Sequence, residues 1–132
     1  MVIDTSAVIA IVVKERELQI FTDIIAADPS TAMSIMTFYE ASVVAATKIG
    51  SPRGARRVDD LVREMQIETV ASTIDDALAA REAYFRYGKG YHPAGLNLAD
   101  CFSYALAKTR NDTLLFKGDD FSKTDIVPAW RP

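Results

Sequence analysis

Short apolar runs alternate with longer helical patterns along the chain. Runs rich in β-branched or small side chains predict buried strands at residues 1–3, 31–34, 67–70 and 113–116, with a last short strand at Ile126 and Val127. Between the runs, apolar residues recur at spacings of three and four, which predicts helices. Strands alternating with helices predict an α/β fold, in which helices cover both faces of a short parallel sheet of four to five strands and the crossovers are right-handed.

The helical patterns also predict buried faces. Helices are expected at residues 7–13, 15–27 and 37–49, the last apolar over most of its surface and therefore well buried. Pro52 fits the first turn of the next helix, and Thr73 and Asn97 are suitable caps for two further helices. One side of the helix after Thr73 carries Ile74, Ala77, Leu78, Arg81 and Phe85, and the core stripe after Asn97 is Leu98, Cys101, Phe102, Ala105 and Leu106.

The length of 132 residues predicts one domain spanning residues 1–132. No apolar run approaches the ~18 residues that a membrane span needs, so no membrane association is expected. No basic segment precedes an apolar stretch at the N-terminus, so no signal peptide is expected. Cys101 is the only cysteine, which excludes an internal disulfide and fits a reducing compartment. These features together predict a cytoplasmic protein.

The formal net charge of −3 argues weakly against nucleic-acid binding, although four carboxylates committed to a metal would leave the remaining charges at a balance of +1. One face of the helix after Pro52 is basic. This face is either an ordinary solvated surface or a contact for RNA phosphates or an acidic partner. Its residues are Arg53, Arg56, Arg57 and Arg63.

Acidic residues fall where strands end and helices begin. Asp4 follows the first strand, Glu40 lies in the predicted first turn of the helix after the second strand, and Asp100 lies in the first turn after Asn97. Asp119 and Asp120 follow the fourth strand. In a parallel sheet these places share one rim, where ligands bind.

Taken singly, each acid has an ordinary explanation. Asp4 suits a helix N-cap, residues 37–40 and 97–100 fit capping boxes, and Asp119 and Asp120 suit a turn. Several carboxylates crowded on one rim repel each other, however, and a divalent cation relieves that repulsion. Mg²⁺ and Mn²⁺ prefer such oxygen ligands, and a metal held this way suits phosphodiester hydrolysis.

Other catalytic designs do not fit the chain. It has neither a phosphate-binding loop motif nor a serine-nucleophile elbow. His92, the only histidine, has no partner for a zinc site, and we expect it to be a loop residue beside Pro93. Cys101 falls on an apolar helix stripe, which predicts a buried structural thiol.

The motifs together resemble the PIN domain and, within it, the VapC toxins of bacterial type II toxin–antitoxin pairs. The resemblance covers nearly the whole chain. Its residues are V-I-D-T-S-A near the N-terminus, Tyr39-Glu40, N-L-A-D-C-F-S-Y-A-L-A from Asn97 to Ala107, and L-L-F-K-G-D-D-F from Leu114 to Phe121.

The resemblance implies a Mg²⁺-dependent endoribonuclease, with Mn²⁺ as an alternative metal. It implies an RNA substrate, a homodimer, and a larger complex with an inhibiting VapB-type antitoxin. Asp4 and Asp100 would be the principal metal ligands, and Glu40 would complete the acidic cluster. Relatives often have T-x-D-x-D-F where this chain has F-K-G-D-D-F, so the fourth acid is either Asp119 or Asp120.

Three further residues are candidates for the substrate phosphate. Thr5 and Ser6 would orient Asp4 or bind a phosphate oxygen at a helix N-terminus, and Lys117 would add a positive charge. Two rival functions stay open. A receiver-like phosphoacceptor would use Asp4 but lacks the expected adjacent second acid, and a catalytically inactive PIN-like module would only bind a partner.

Overall fold

A computed structural model describes all 132 residues. Its four strands are β1 (Val2–Ile3), β2 (Ala32–Ser34), β3 (Glu68–Val70) and β4 (Leu114–Leu115). They form one sheet in the order β3-β2-β1-β4, and every neighbouring pair is parallel. The predicted parallel sheet is therefore confirmed, with β1 at its interior.

Six helices cover this sheet: α1 (Thr5–Val12), α2 (Leu18–Ala27), α3 (Ile35–Ile49), α4 (Arg53–Glu64), α5 (Ile74–Tyr87) and α6 (Leu98–Arg110). A short 3₁₀ helix spans Phe121–Lys123. Successive strand residues point to opposite faces, so Ile3 joins a core with α1 to α4 while Val2 joins a second core with α5 and α6. The result is the expected α/β/α sandwich. No helix is long and apolar enough to cross a bilayer.

The predicted fifth strand at Ile126 and Val127 is wrong. This segment runs beside β4, where the Leu114 amide donates to the Val127 carbonyl at 2.9 Å. Only an isolated bridge forms, between Leu114 and Pro128. The Ala129 amide also donates to the Leu114 carbonyl at 2.8 Å, and these two hydrogen bonds around Leu114 are too few for a continuous ladder.

Three helix starts differ from the prediction. α1 begins at Thr5 because Asp4 caps it, and α2 begins only at Leu18. α3 begins at Ile35, because Ser34 rather than Thr37 is the cap and its Oγ accepts from the Thr37 amide at 3.0 Å. The predicted capping box at residues 37–40 is therefore wrong, and Glu40 lies in the second helical turn.

Several apolar side chains expected in the core are exposed. On α5, Ile74 and Phe85 are 75% and 53% exposed, and the helix packs on α6 through smaller residues such as Ala80 and Ala83. Leu98 on α6 is likewise exposed. α3 is less buried than expected, since Tyr39, Val43 and Ile35 all reach solvent. Apolar periodicity identifies helices, but where a helix has two apolar faces it does not show which of them is buried.

The basic face of α4 divides into two parts. Arg57 is partly buried and donates to the Val12 carbonyl at the end of α1 at 3.1 Å. Arg53, Arg56 and Arg63 are exposed. On its inner side α4 approaches α3 closely at Gly54, where a Cβ atom would lie 2.1 Å from the Ala45 carbonyl oxygen.

Candidate active site

Asp4 lies at the centre of the rim where β1 ends. Its side chain is 2% exposed, and its Oδ2 accepts from the Ser6 amide at 2.9 Å and from Ser6 Oγ at 2.7 Å. Its Oδ1 is buried and has no hydrogen-bond partner. A buried carboxylate oxygen without a partner is costly. Asp4 is therefore held by one oxygen and leaves the other available to a ligand.

Asp100 both takes part in capping helix α6 and belongs to the acidic cluster, two positions that the sequence presents as alternatives. Its Oδ2 accepts from the Asn97 amide at 2.7 Å, and its own amide donates to Asn97 Oδ1 at 2.9 Å, which completes the capping box of α6. It also faces the other acids. Burial, followed by the negative charge of Asp4, raises the pKa of the Asp100 carboxyl to about 7, although the bond from Asn97 acts in the opposite direction. Glu40 and Asp120 raise this pKa further.

Asn97 joins the two acidic helices. Its Nδ2 donates to Glu40 Oε1 at 3.3 Å while its backbone and Oδ1 bind Asp100. The sequence identifies Asn97 only as a cap. An asparagine side chain carries both a donor and an acceptor, so it can bind a second helix while it caps its own, but only the fold shows that Glu40 is within reach.

The two neighbouring acids after β4 differ in position. Asp120 is close enough to raise the pKa of Asp100, whereas Asp119 lines an adjoining cleft. Both are exposed. Their positions favour Asp120 as the fourth acid of the rim.

The predicted phosphate-binding residues have different surroundings. Thr5 Oγ1 is buried without a hydrogen-bond partner. Ser6 Oγ is already engaged, because it donates to Asp4 and accepts from the Lys117 amide at 2.9 Å. The Lys117 ammonium lies 2.6 Å from Glu15 and 2.8 Å from Glu17, so its charge is balanced within the protein.

A chain of buried hydroxyl groups lies behind the acids. Ser34 Oγ and Ser103 Oγ each lie 2.9 Å from Thr37 Oγ1, and all three side chains are buried. Thr37 precedes Glu40 by three residues on α3, and Ser103 follows Asp100 by three residues on α6. Residues three apart share a helix face. The Thr37–Ser103 bond therefore joins the two helices one turn from their acidic residues.

The residues fit a hydrated divalent cation better than a closed metal cage. No group of three or more His, Cys, Asp or Glu side chains converges at coordination distance. The acids are nevertheless close enough to suppress the ionisation of Asp100, and Asp4 has a free buried oxygen. Mg²⁺ keeps several waters and commonly uses only one or two protein carboxylates, which is what Asp4 and Asp100 offer.

The other reactive side chains have structural surroundings. His92 Nδ1 accepts from the Ala94 amide at 3.1 Å, and its ring meets Tyr87 edge-on. Cys101 is 2% exposed, and burial raises the pKa of its thiol to about 12. Both residues match the structural roles expected from the sequence.

The model of the PIN-domain family matches residues 1–127 of the chain. The chain belongs to the PIN-domain family. This PIN domain is 46% identical over 127 residues to Ribonuclease VapC of Mycolicibacterium smegmatis, covering 96% of this chain and 98% of that protein. It is 44% identical to Ribonuclease VapC30 of Mycobacterium tuberculosis over 132 residues, with 100% of both chains covered. The expected VapC-type family is confirmed.

Solved structures agree on the fold of this VapC-type PIN domain. The M. tuberculosis toxin VapC20, described as cleaving the sarcin–ricin loop, superposes with a TM-score of 0.80 at 19% identity, covering 99% of this chain and 98% of that one. A chain of a toxin–antitoxin complex from Klebsiella pneumoniae gives a TM-score of 0.69 at 20% identity, with the same coverage. At these identities the likeness concerns the fold alone.

The pKa of Asp100 predicts how stability depends on pH. In the metal-free native protein this pKa is about 7, whereas an unfolded aspartate titrates near ~3.9. The native state therefore binds more protons between these values, and the free energy of unfolding falls as the pH rises from about 4 to about 7. Urea unfolding in EDTA across this range should show the fall, and Asp100→Asn should flatten it. An unchanged slope in the variant would assign the effect to another group.

The buried hydroxyl bond predicts a coupled effect on the rim. Thr37→Val and Ser103→Ala should each destabilise the fold by about 1–3 kcal/mol, and their effects should be non-additive because the two groups share one bond. Each should also weaken Mg²⁺ binding several-fold in calorimetry, since α3 and α6 lose their spacing. Ser42→Ala is the matched control, because Ser42 Oγ donates only within α3, to the Phe38 carbonyl at 2.8 Å. If both variants bind Mg²⁺ as tightly as wild type, the Thr37–Ser103 hydrogen bond contributes to the stability of the fold and not to Mg²⁺ binding.

Proposed function

We propose that this chain is a metal-dependent endoribonuclease, the toxin of a type II toxin–antitoxin pair, which hydrolyses RNA at the rim bearing Asp4 and Asp100. The observation that carries this proposal is the buried Asp4 carboxylate, with one oxygen held by Ser6 and the other free, beside an Asp100 whose ionisation is suppressed. The VapC relatives named ribonucleases, at 44–46% identity, support the reaction class.

Mg²⁺ is the proposed cofactor and Mn²⁺ the alternative. Asp4 and Asp100 would hold the ion, and Glu40 with Asp120 would complete the negative surface around it; Asp119 is the less favoured fourth acid. When bound, the ion lowers the pKa of a coordinated water and offsets negative charge on the scissile phosphate. Chemistry of this kind needs no side-chain nucleophile, in keeping with the buried Cys101 and the engaged His92.

The first turn of α1 is the proposed contact for the scissile phosphate. Helix N-termini offer unpaired amide groups and partial positive charge to phosphate oxygens. Ser6 holds Asp4, so the free hydroxyl of Thr5 is the better donor toward an oxygen at this position. Lys117 supports the turn because its backbone amide donates a hydrogen bond to Ser6 Oγ. Its ammonium group is paired with Glu15 and Glu17.

The two rival functions have less support. A receiver-like phosphoacceptor has no second acid adjacent to Asp4 in sequence, and the chain belongs to a different family. An inactive module that only binds a partner would not need an assembled acidic rim. The electrostatic coupling of Asp100 with Asp4, Glu40 and Asp120 supports the enzyme.

The proposed partners follow from the family. A VapB-type antitoxin would inhibit the enzyme in a larger complex, an assignment supported by the K. pneumoniae structural neighbour, which is described as a toxin–antitoxin complex. We place the protein in the cytoplasm, where it would meet its RNA substrate.

A homodimer is also proposed. Two helices carry exposed apolar stripes: Ile35, Tyr39 and Val43 on α3, and Ile74, Leu78 and Phe85 on α5. Large exposed apolar side chains that cluster in this way are typical of protein interfaces.

The acidic rim predicts the effect of single charge removals on cleavage. Asp4→Asn and Asp100→Asn should fold but reduce cleavage of total cellular RNA in Mg²⁺ to that of wild type in EDTA, because each removes a proposed ligand charge. Asp120→Asn should reduce it more than Asp119→Asn. Mg²⁺ should raise the melting temperature of wild type by mass action, and less so for Asp100→Asn.

Asp23→Asn is the control for these charge removals, since Asp23 is exposed on α2 and bonds only Gln19. Mapping the 5′ and 3′ ends of the products would define the cleavage site. Wild-type cleavage rates in Asp100→Asn would refute the site assignment.

The apolar stripes predict a dimer that dissociates when a charged residue replaces an apolar residue of a stripe. Light scattering coupled to gel filtration should give twice the chain mass for wild type and the monomer mass for Phe85→Glu or Val43→Glu. Ile20→Glu is the control, because Ile20 is comparably exposed on α2, outside both stripes. A monomeric wild type at micromolar concentration would contradict the dimer.

A further inference from the structure

An open cleft of about 600 Å³ adjoins the acidic rim. Phe116, Ile126 and Trp130 contribute its apolar surface, and Arg16, Lys117 and Arg131 contribute basic side chains. The volume lies within the ~300–1,000 Å³ typical of small-ligand sites. None of the residues proposed to hold the metal ion lines this cleft except Asp119, the less favoured fourth acid.

The cleft is connected to Asp4 through two hydrogen bonds. Lys117 lines it and donates its backbone amide to Ser6 Oγ at 2.9 Å, and Ser6 Oγ donates to Asp4 Oδ2 at 2.7 Å. Asp119, also in the lining, directly precedes Asp120. A group bound in the cleft would therefore be a near neighbour of a phosphate bound at the rim.

The charges of the lining are largely balanced, since Glu17 pairs with two of its three cations and only Arg131 has no ion pair. Glu17, only 4% exposed, accepts from Arg16 Nε at 2.5 Å, and its second carboxylate oxygen lies 2.8 Å from the Lys117 ammonium. These two cations lower the pKa of the Glu17 carboxyl to about 2, with Lys117 as the larger cause. An ion cluster that is already paired attracts a phosphate chain weakly. It suits an uncharged ligand with polar edges.

Trp130 gives the cleft a flat apolar surface. Its indole meets the buried Phe21 edge-on at a centroid separation of 5.2 Å and is itself only partly buried. The contact with Phe21 restrains the ring while part of it remains accessible from the cleft. Nucleobases stack on such surfaces in proteins that bind single-stranded nucleic acid.

We propose that this cleft is a nucleobase subsite, which binds the base of an RNA nucleotide flanking the scissile phosphate by stacking on Trp130. The proposal rests on the proposed ribonuclease function and deepens it, since it assigns a residue that selects and positions the substrate. Bases are flat, uncharged and polar at their edges, which matches the balanced charges and the aromatic surface described above.

The fluorescence of Trp130 provides a direct test, because it is the only tryptophan in the chain. A short single-stranded RNA, titrated in EDTA to prevent cleavage, should change the emission saturably. An abasic oligonucleotide of the same length, which keeps the backbone but lacks bases, should leave the emission unchanged. An equal response to the abasic oligonucleotide would indicate a backbone contact and overturn the proposal.

Substitutions test the role of stacking. In anisotropy measurements with labelled RNA, Trp130→Ala should weaken binding about 10-fold or more, and Trp130→Phe should retain most of it. Tyr91→Ala is the control, since Tyr91 is an exposed aromatic residue outside the cleft. In cleavage assays, Trp130→Ala should raise KM more than it lowers kcat, because the residue contacts a base and not the reacting phosphate.

The outcomes separate this inference from the function on which it rests. Wild type that cleaves RNA without any change in Trp130 emission would overturn the subsite and leave the ribonuclease function intact. Base-dependent emission changes in a protein that cleaves no RNA would support the subsite and overturn the ribonuclease function. The emission test uses wild-type protein, so it remains decisive even if Trp130→Ala fails to fold.

Discussion

The burial of a charged group at the end of β1 is the constraint on which the rest of the structure depends. Asp4 lies at the end of an interior strand of the sheet with almost no solvent contact, and only Ser6 donates hydrogen bonds to its carboxylate. Burial and, after it, the negative charge of Asp4 raise the pKa of the Asp100 carboxyl, so this group holds its proton to an unusually high pH. The native fold thus contains an electrostatic cost that a bound cation would remove, so the proposed activity would be linked to stability through the same few oxygen atoms.

Such a rim requires rigid support, and the protein supplies it with uncharged polar groups. Asn97 spans Glu40 and Asp100 at the surface, and Thr37 with Ser103 joins the same two helices in the interior. Hydroxyl and amide groups suit this task because they hold the helices together without adding charge to an already repulsive site. Hydrogen-bonded buried groups also have strict geometric requirements, which restricts how far α3 and α6 can slide.

Local patterns predicted the parts of this arrangement that depend on neighbours in sequence. The four strands, the caps at Asp4 and Asn97 and the convergence of acids on one rim all follow from short-range signals and the geometry of parallel sheets. The start of α3 was harder to predict because Ser34 and Thr37 are both good caps. The exposed side of α5 cannot be predicted from its apolar pattern, because alanines, rather than larger apolar residues, make its contact with α6. Pairings between distant residues, such as Thr37 with Ser103 and Lys117 with Glu15, leave no trace in a single sequence.

The bond between the Lys117 amide and Ser6 Oγ joins residues 111 positions apart. During translation, Asp4 and Ser6 leave the ribosome early, but the strand that completes their surroundings arrives much later. At synthesis rates of about 5–20 residues per second, that interval is roughly 5–20 s. A nascent chain therefore carries its principal acid without an assembled rim. Any activity that depends on this rim would therefore appear only after nearly the whole chain has been synthesised.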